Sequence, residues 1–190
     1  MSTEDATSLG YEAPPYDWPD AAQTVMSRRI EIDAAHRVPH HESKCFYIHG
    51  HRYAIIANVQ GLLAASGPET GMVMDFGFLK EVMIEHIHDP CDHGLILWNK
   101  DDLILNAISW QVSEPFPGKD FTGPWMAGHS VSQKAPWKLY IMAEVPTAEN
   151  LAKHWYLRMK AEVTERTNNR AFLKSVVVYE TPNGSAIYPT

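Results

Sequence analysis

The chain has 190 residues, 45% hydrophobic and 21% charged, which is enough apolar material for a real core and excludes a wholly disordered chain. Lys and Arg number 16 against 23 Asp and Glu, a formal charge of −7, which argues against bulk nucleic-acid binding, since that needs a positive field along the phosphates. No apolar run approaches the ~18 residues of a membrane span, and two cysteines, Cys45 and Cys91, exclude a disulfide framework and suit a reduced, cytoplasmic setting.

Residues 1–25 read as an N-terminal tail. They are acidic and proline-bearing, without the basic start and apolar centre of a signal peptide. Within them Tyr11–Pro19 cannot form a helix or a central strand, because its prolines lack amide donors. Residues 26–190 read as one domain. From Arg28, Ile30, Ile32 and Ala34 alternate with Arg29, Glu31 and Asp33, the period of a half-buried strand, and His36 falls on the apolar face. A second strand carries His49, His51, Tyr53, Ile55, Ala57 and Val59 on one face and ends at Gly61; the two strands are expected to pair antiparallel.

Asp75 is the expected cap of a helix with Phe76, Leu79, Val82 and Met83 on its apolar stripe, running to about Ile87 and stopping before Pro90. Cys91–Gly94 reads as a turn, followed by apolar Leu95–Trp98. Residues 99–137 are the least regular part, an insertion with a short helix over Asp101–Ile108 and then many prolines, glycines and tryptophans. Lys138–Ala143 is a third strand. Thr147 and Glu149 open a helix to about Thr167, with Leu151, Trp155, Leu157, Met159 and Val163 as core positions. Leu173–Thr181 is a fourth strand, with Val176, Val178 and Glu180 on one face, and Asn183–Gly184 turns into Ala186–Tyr188. The sum is an α+β fold: a four-stranded antiparallel sheet with two helices packed on one face.

The chemistry concentrates in His49-Gly50-His51. Alternate strand residues point the same way, about 7 Å apart, and His36 on the partner strand joins them. Three neutral imidazoles from two rigid strands suit a catalytic zinc ion with its fourth position left for water or substrate; the alternative is two surface histidines beside a satisfied core one. Cys45 is a fourth ligand, a nucleophile, a general base or simply a small packed residue, and Lys44 and a nearby cation would lower its pKa. Cys91 is better read as packed, with Asp92 raising its pKa. Asp92 beside His93 is a candidate orienting carboxylate and proton shuttle. Glu180, a carboxylate among valines, must meet donors, either solvent or a flat heterocycle edge with paired N–H groups.

Taken together, Ala35-His36, Cys45-x3-His49-Gly50-His51, Gly71–Phe76, Asp92-His93, Pro146–Asn150 and Glu180-Thr181 resemble the 6-pyruvoyl-tetrahydropterin synthase superfamily. The three-residue gap between Cys45 and His49 resembles its 6-carboxytetrahydropterin synthase branch, which serves queuosine biosynthesis. The resemblance implies the tunnelling fold, in which protomers join their sheets into an oligomeric barrel, a homo-tetramer or homo-hexamer, with the active site near a subunit boundary. It implies a pterin triphosphate, 7,8-dihydroneopterin triphosphate, as substrate, and 6-carboxytetrahydropterin, acetaldehyde and triphosphate as products. It assigns zinc to His36, His49 and His51, catalysis to Cys45, Asp92 and His93, and substrate binding to Glu180, Thr147 and Glu149. The competing expectations are a sister enzyme making 6-pyruvoyltetrahydropterin or cleaving dihydroneopterin, and a zinc- and pterin-binding module without catalysis. A cysteine hydrolase using Cys45, His93 and Asp92 would leave the three histidines unexplained.

Overall fold

The computed structural model describes residues 23–112, 115–125 and 137–190. The expected tail lies almost wholly outside them, as does the part of the insertion at 126–136. Strand β1 is Gln23–His36, so it reaches back into the segment read as tail, and β2 is His49–Leu62. They pair antiparallel along their whole lengths, with His36 opposite His49 and Ala34 opposite His51. The even-numbered residues of β1 (Ile30, Ile32, Ala34, His36) and Tyr53, Ile55, Ala57 and Val59 of β2 are buried together, as their alternation requires. Strand β2 continues past Gly61 rather than ending there. A Cβ at Gly61 would lie 2.5 Å from the Arg170 carbonyl oxygen, so the glycine admits the chain close to its neighbour instead of stopping the strand.

Helix α1, Phe76–Met83, begins at Asp75, whose side chain accepts from the Gly77 N–H. It does not stop before Pro90. It widens into a π-helical stretch, Ile84–His88, and then into α2, Asp89–Cys91, with Pro90 in the first turn of α2, where its missing amide is tolerated. Strand β3 is Gly94–Trp98, α3 is Asp102–Val112, β4 is Gly123–Trp125 and β5 is Leu139–Met142. Thr147 caps α4, Ala148–Arg166, and β6, Ala171–Thr181, and β7, Gly184–Tyr188, complete the chain.

The sheet has seven strands, not four, in the order β4-β5-β3-β1-β2-β6-β7, and it is mixed. Strand β3 is parallel to both β1 and β5; the other pairs are antiparallel. An unbroken apolar run hides β3 from a search for alternation, because a strand covered on both faces has none. Strand β4 is three residues long and carries Pro124, which only an edge tolerates.

The helices also divide differently from expectation. Helices α1 and α4 cover the inner face, where Trp155, Leu151, Met159 and Val163 are fully buried; Leu157, two positions from the nearest of them, is turned outward and 41% exposed. The segment read as an insertion builds a second layer on the other face. There Leu105 and Ile108 of α3 pack on Leu95, Leu97, Leu139 and Ile141, with Phe116, Phe121 and Trp125 around them. Truncating Leu105, 1% exposed, is expected to cost about 2–5 kcal/mol, read as a lowered urea midpoint with the inner core intact. Among the described residues no helix is long and apolar enough to cross a membrane.

Candidate functional site

At the end of the β1–β2 ladder His36, His49 and His51 converge, their ligand nitrogens all within 4.8 Å of one another. Two backbone carbonyls orient the rings. His36 Nδ1 lies 2.6 Å from the Pro146 oxygen, and His49 Nδ1 lies 2.8 Å from the Tyr47 oxygen. A carbonyl can only accept, so each Nδ1 carries the proton and each Nε2 presents a lone pair. Those two Nε2 atoms face one another at 3.1 Å. Two acceptors at that distance repel unless a proton or a cation lies between them. His51 Nε2 is buried without a hydrogen-bond partner, a third donor aimed into the same space. Burial also holds the His36 pKa below the ordinary imidazole value, against the opposing pull of Pro146 and Glu180, which keeps the ring in the neutral form that binds metal. The donor set therefore fits a divalent cation of the kind that takes nitrogen ligands.

Glu180 closes one side of the cluster. Its Oε1 is 3.3 Å from His36 Nε2 and 3.9 Å from His51 Nε2, and it accepts from the Tyr53 hydroxyl at 3.5 Å. Burial, reinforced by Glu180, pushes the Tyr53 phenol well above its usual pKa, so it acts as a donor. Tyr53 was missed at the level of sequence, although its place two residues beyond His51 on the same strand face was signal enough. The orienting carbonyls of Tyr47 and Pro146 leave no such signal. Thr147 uses its side chain to cap α4 at Asn150 N, and Glu149 is exposed in the first turn. Both follow Pro146 and therefore start α4 beside His36.

Cys45 is half-buried on the short 3-10 turn Lys44–Phe46, and its thiol stands outside the histidine cluster. Cys91 is packed in the core, and burial pushes its thiol up to about 12; the cause is desolvation rather than the neighbouring Asp92. A second grouping, Glu85, His86 and Glu162, is occupied by its own ion pairs: Glu162 accepts from His86 at 2.8 Å and from Arg166 at 2.9 Å.

Asp92 and His93 do form a pair, 2.7 Å from carboxylate to Nδ1. Adjacent side chains meet because His93 adopts φ 55, a left-handed conformation that turns the ring back on its neighbour. The turn is pinned to β1 twice: His93 N donates to the Asp33 carbonyl at 2.7 Å, and Asp33 N donates to Asp92 Oδ1 at 2.9 Å. Neither side chain belongs to the close grouping of His36, His49 and His51. Asp33, Ala35 and Arg52 alternate to the sheet face opposite His36, His49 and His51, and His93 lines a shallow cavity of about 480 Å³ with them and with Ala34, Gly50 and His51. Its ring is 78% exposed there.

Burial raises the Asp92 carboxyl, but the Asp33 N–H and His93 outweigh it and hold it below its ordinary value of 3.8. A depressed carboxyl contributes stability that is present above the unfolded value and is lost as pH falls through the folded one. The stability gap between the parent and Asp92→Asn is therefore expected to close as the pH drops below about 4, measured by urea unfolding across the acid range.

The family model for 6-pyruvoyl tetrahydropterin synthase matches residues 25–190. The 6-carboxy-5,6,7,8-tetrahydropterin synthase of Rickettsia conorii is 33% identical over 159 residues, covering 83% of this chain and 94% of the relative. The enzyme of the same name from Rickettsia bellii is 31% identical over the same shares. Among solved structures, an uncharacterized protein of Wolinella succinogenes superposes with a TM-score of 0.65 at 18% identity, covering 87% of this chain and 97% of that one. The 6-pyruvoyl tetrahydropterin synthase of Caenorhabditis elegans superposes at 0.52 with 22% identity, covering 87% and 94%.

Proposed function

The chain belongs to the 6-pyruvoyl tetrahydropterin synthase family, and from that membership we propose that it is a zinc-dependent 6-carboxy-5,6,7,8-tetrahydropterin synthase. It converts 7,8-dihydroneopterin triphosphate to 6-carboxytetrahydropterin, acetaldehyde and triphosphate, in the cytoplasm, on the route to queuosine. The observation that carries this reading is the pair of Nε2 lone pairs of His36 and His49 facing each other at 3.1 Å, with the unpartnered His51 Nε2 beside them. The relatives of that name, matched over most of the chain, support the product assignment.

His36, His49 and His51 hold zinc, which when bound supplies a Lewis acid for the hydroxyls of the substrate side chain. The remaining work falls to the protein's own groups. Glu180 accepts from the amino and ring N–H edge of the pterin and so fixes the side chain over the triad. Thr147 and Glu149 flank the ring from the start of α4. Cys45 takes a proton from the reacting carbon chain. His93, oriented by Asp92, moves the proton at the other end of the rearrangement.

The His93 ring, 78% exposed and outside the close grouping of His36, His49 and His51, supports a site shared between copies: one chain brings the metal and pterin residues, and a neighbour in the homo-oligomer brings the acid–base pair. Incubating the metal-loaded protein with 7,8-dihydroneopterin triphosphate is expected to release acetaldehyde in a one-to-one ratio with triphosphate. A pyruvoyl product without acetaldehyde would move the chain to the sister activity, and metal and pterin binding without turnover would make it a binding module.

A further inference from the structure

The turn that carries Cys45 has no buried residue of its own. It cannot be held by core packing, yet a group that must meet one carbon of a substrate needs a fixed position. Its backbone makes one tie to β1's end, Val38 N to the Cys45 carbonyl at 2.8 Å. The other tie is a side chain. Arg37, next to His36 and only 6% exposed, lays its guanidinium over the Phe46 ring at 4.8 Å from the centroid. Its Nε is 2.9 Å from Asp101 Oδ2, and Asp101 is 3% exposed. This is an ion pair rather than an aligned hydrogen bond, since both atoms lack a well-directed partner. Asp101 is itself anchored: its carbonyl accepts from Leu105 N at 3.0 Å and its side chain from the Ile104 N–H, at the head of α3.

We propose that Arg37 is a positioning residue for Cys45, a flat buried cation clamped by Asp101 on one side and seating the Cys45 turn through Phe46 on the other. The insertion would then have a task in the site without touching substrate. Its second-layer core fixes α3, α3 fixes Asp101, and Asp101 fixes Arg37. A guanidinium suits this role because it can stack and pair at once, which an ammonium does less well.

The proposal rests on the reading of Cys45 as a reacting group, so the test separates the two. Alkylation of the metal-loaded oligomer by a maleimide, followed by mass spectrometry, reads the seating of Cys45 without turnover, with buried Cys91 as the unreactive control. Phe46→Leu is the key variant, since Phe46 is 38% exposed and its loss leaves the buried pair intact. Asp101→Asn keeps a helix-capping side chain and removes the charge; Arg37→Lys keeps the charge and loses the stacking plane. In Phe46→Leu and Arg37→Lys the alkylation rate is expected to rise about fivefold as the turn loosens. Turnover should fall by roughly 10- to 100-fold in kcat with KM within about threefold, at unchanged metal content. Unchanged alkylation in folded Phe46→Leu and Arg37→Lys overturns the clamp, whatever the turnover. A parent protein that does not turn over the pterin triphosphate overturns the functional reading instead, and the alkylation rates still decide the clamp.

Discussion

His51→Ala is expected to leave a folded protein that no longer retains a stoichiometric divalent ion and turns over at least ~1,000-fold more slowly, the several kcal/mol of charge stabilisation that a bound Lewis acid contributes. Of the three imidazoles His51 is the cleanest to remove. Its Nε2 makes no hydrogen bond, so truncation strands no partner. His36, by contrast, is 1% exposed and bonded to the Pro146 carbonyl; its loss would open a cavity and orphan a buried acceptor, mixing a folding defect with a chemical one. Metal content after extensive dialysis, circular dichroism and steady-state acetaldehyde release measure the three parts of the claim. Retention of one tightly held ion together with parental turnover would sink the metal assignment.

His93→Ala is expected to lower kcat by about 10²- to 10⁴-fold, the range for a positioned acid–base group. Folding should be untouched, since the ring is 78% exposed and the turn is pinned through backbone atoms and Asp92. The more telling result comes from mixing. If the histidine cluster of one chain works with the Asp92–His93 pair of another, co-expressed His51→Ala and His93→Ala chains recover activity that neither has alone. With random assembly roughly a quarter of the shared sites unite two intact halves. A site completed within one chain predicts no recovery, because every chain in the mixture carries a lesion. The exposure of the His93 ring and its place outside the close histidine grouping favour recovery.

Much of the candidate site is legible in the amino-acid sequence. His49 and His51 share a face because a strand repeats every two residues, and His36 joins them because an antiparallel return brings the end of β1 opposite the start of β2. Glu180 was marked by its isolation among valines, and it does reach the cluster. The inner core followed the same alternation. What escaped was everything that alternation cannot encode. The apolar run at Leu95–Trp98 has no preferred face to read, so β3 went uncounted. A three-residue edge strand containing Pro124 gives no pattern at all. The left-handed turn at His93 that joins two consecutive side chains depends on its anchors at Asp33.

Local pattern alone, then, determined which side chains share a strand face and which helix stripe is buried, because those follow from backbone periods that need no partner. Only the tertiary arrangement decided the parallel course of β3, the second layer over the outer face, the seating of Arg37 against Asp101 and the pinning of the Asp92–His93 turn to β1. Those are matters of which segments meet, and contacts between distant segments are settled by packing the whole chain at once rather than by any stretch of it.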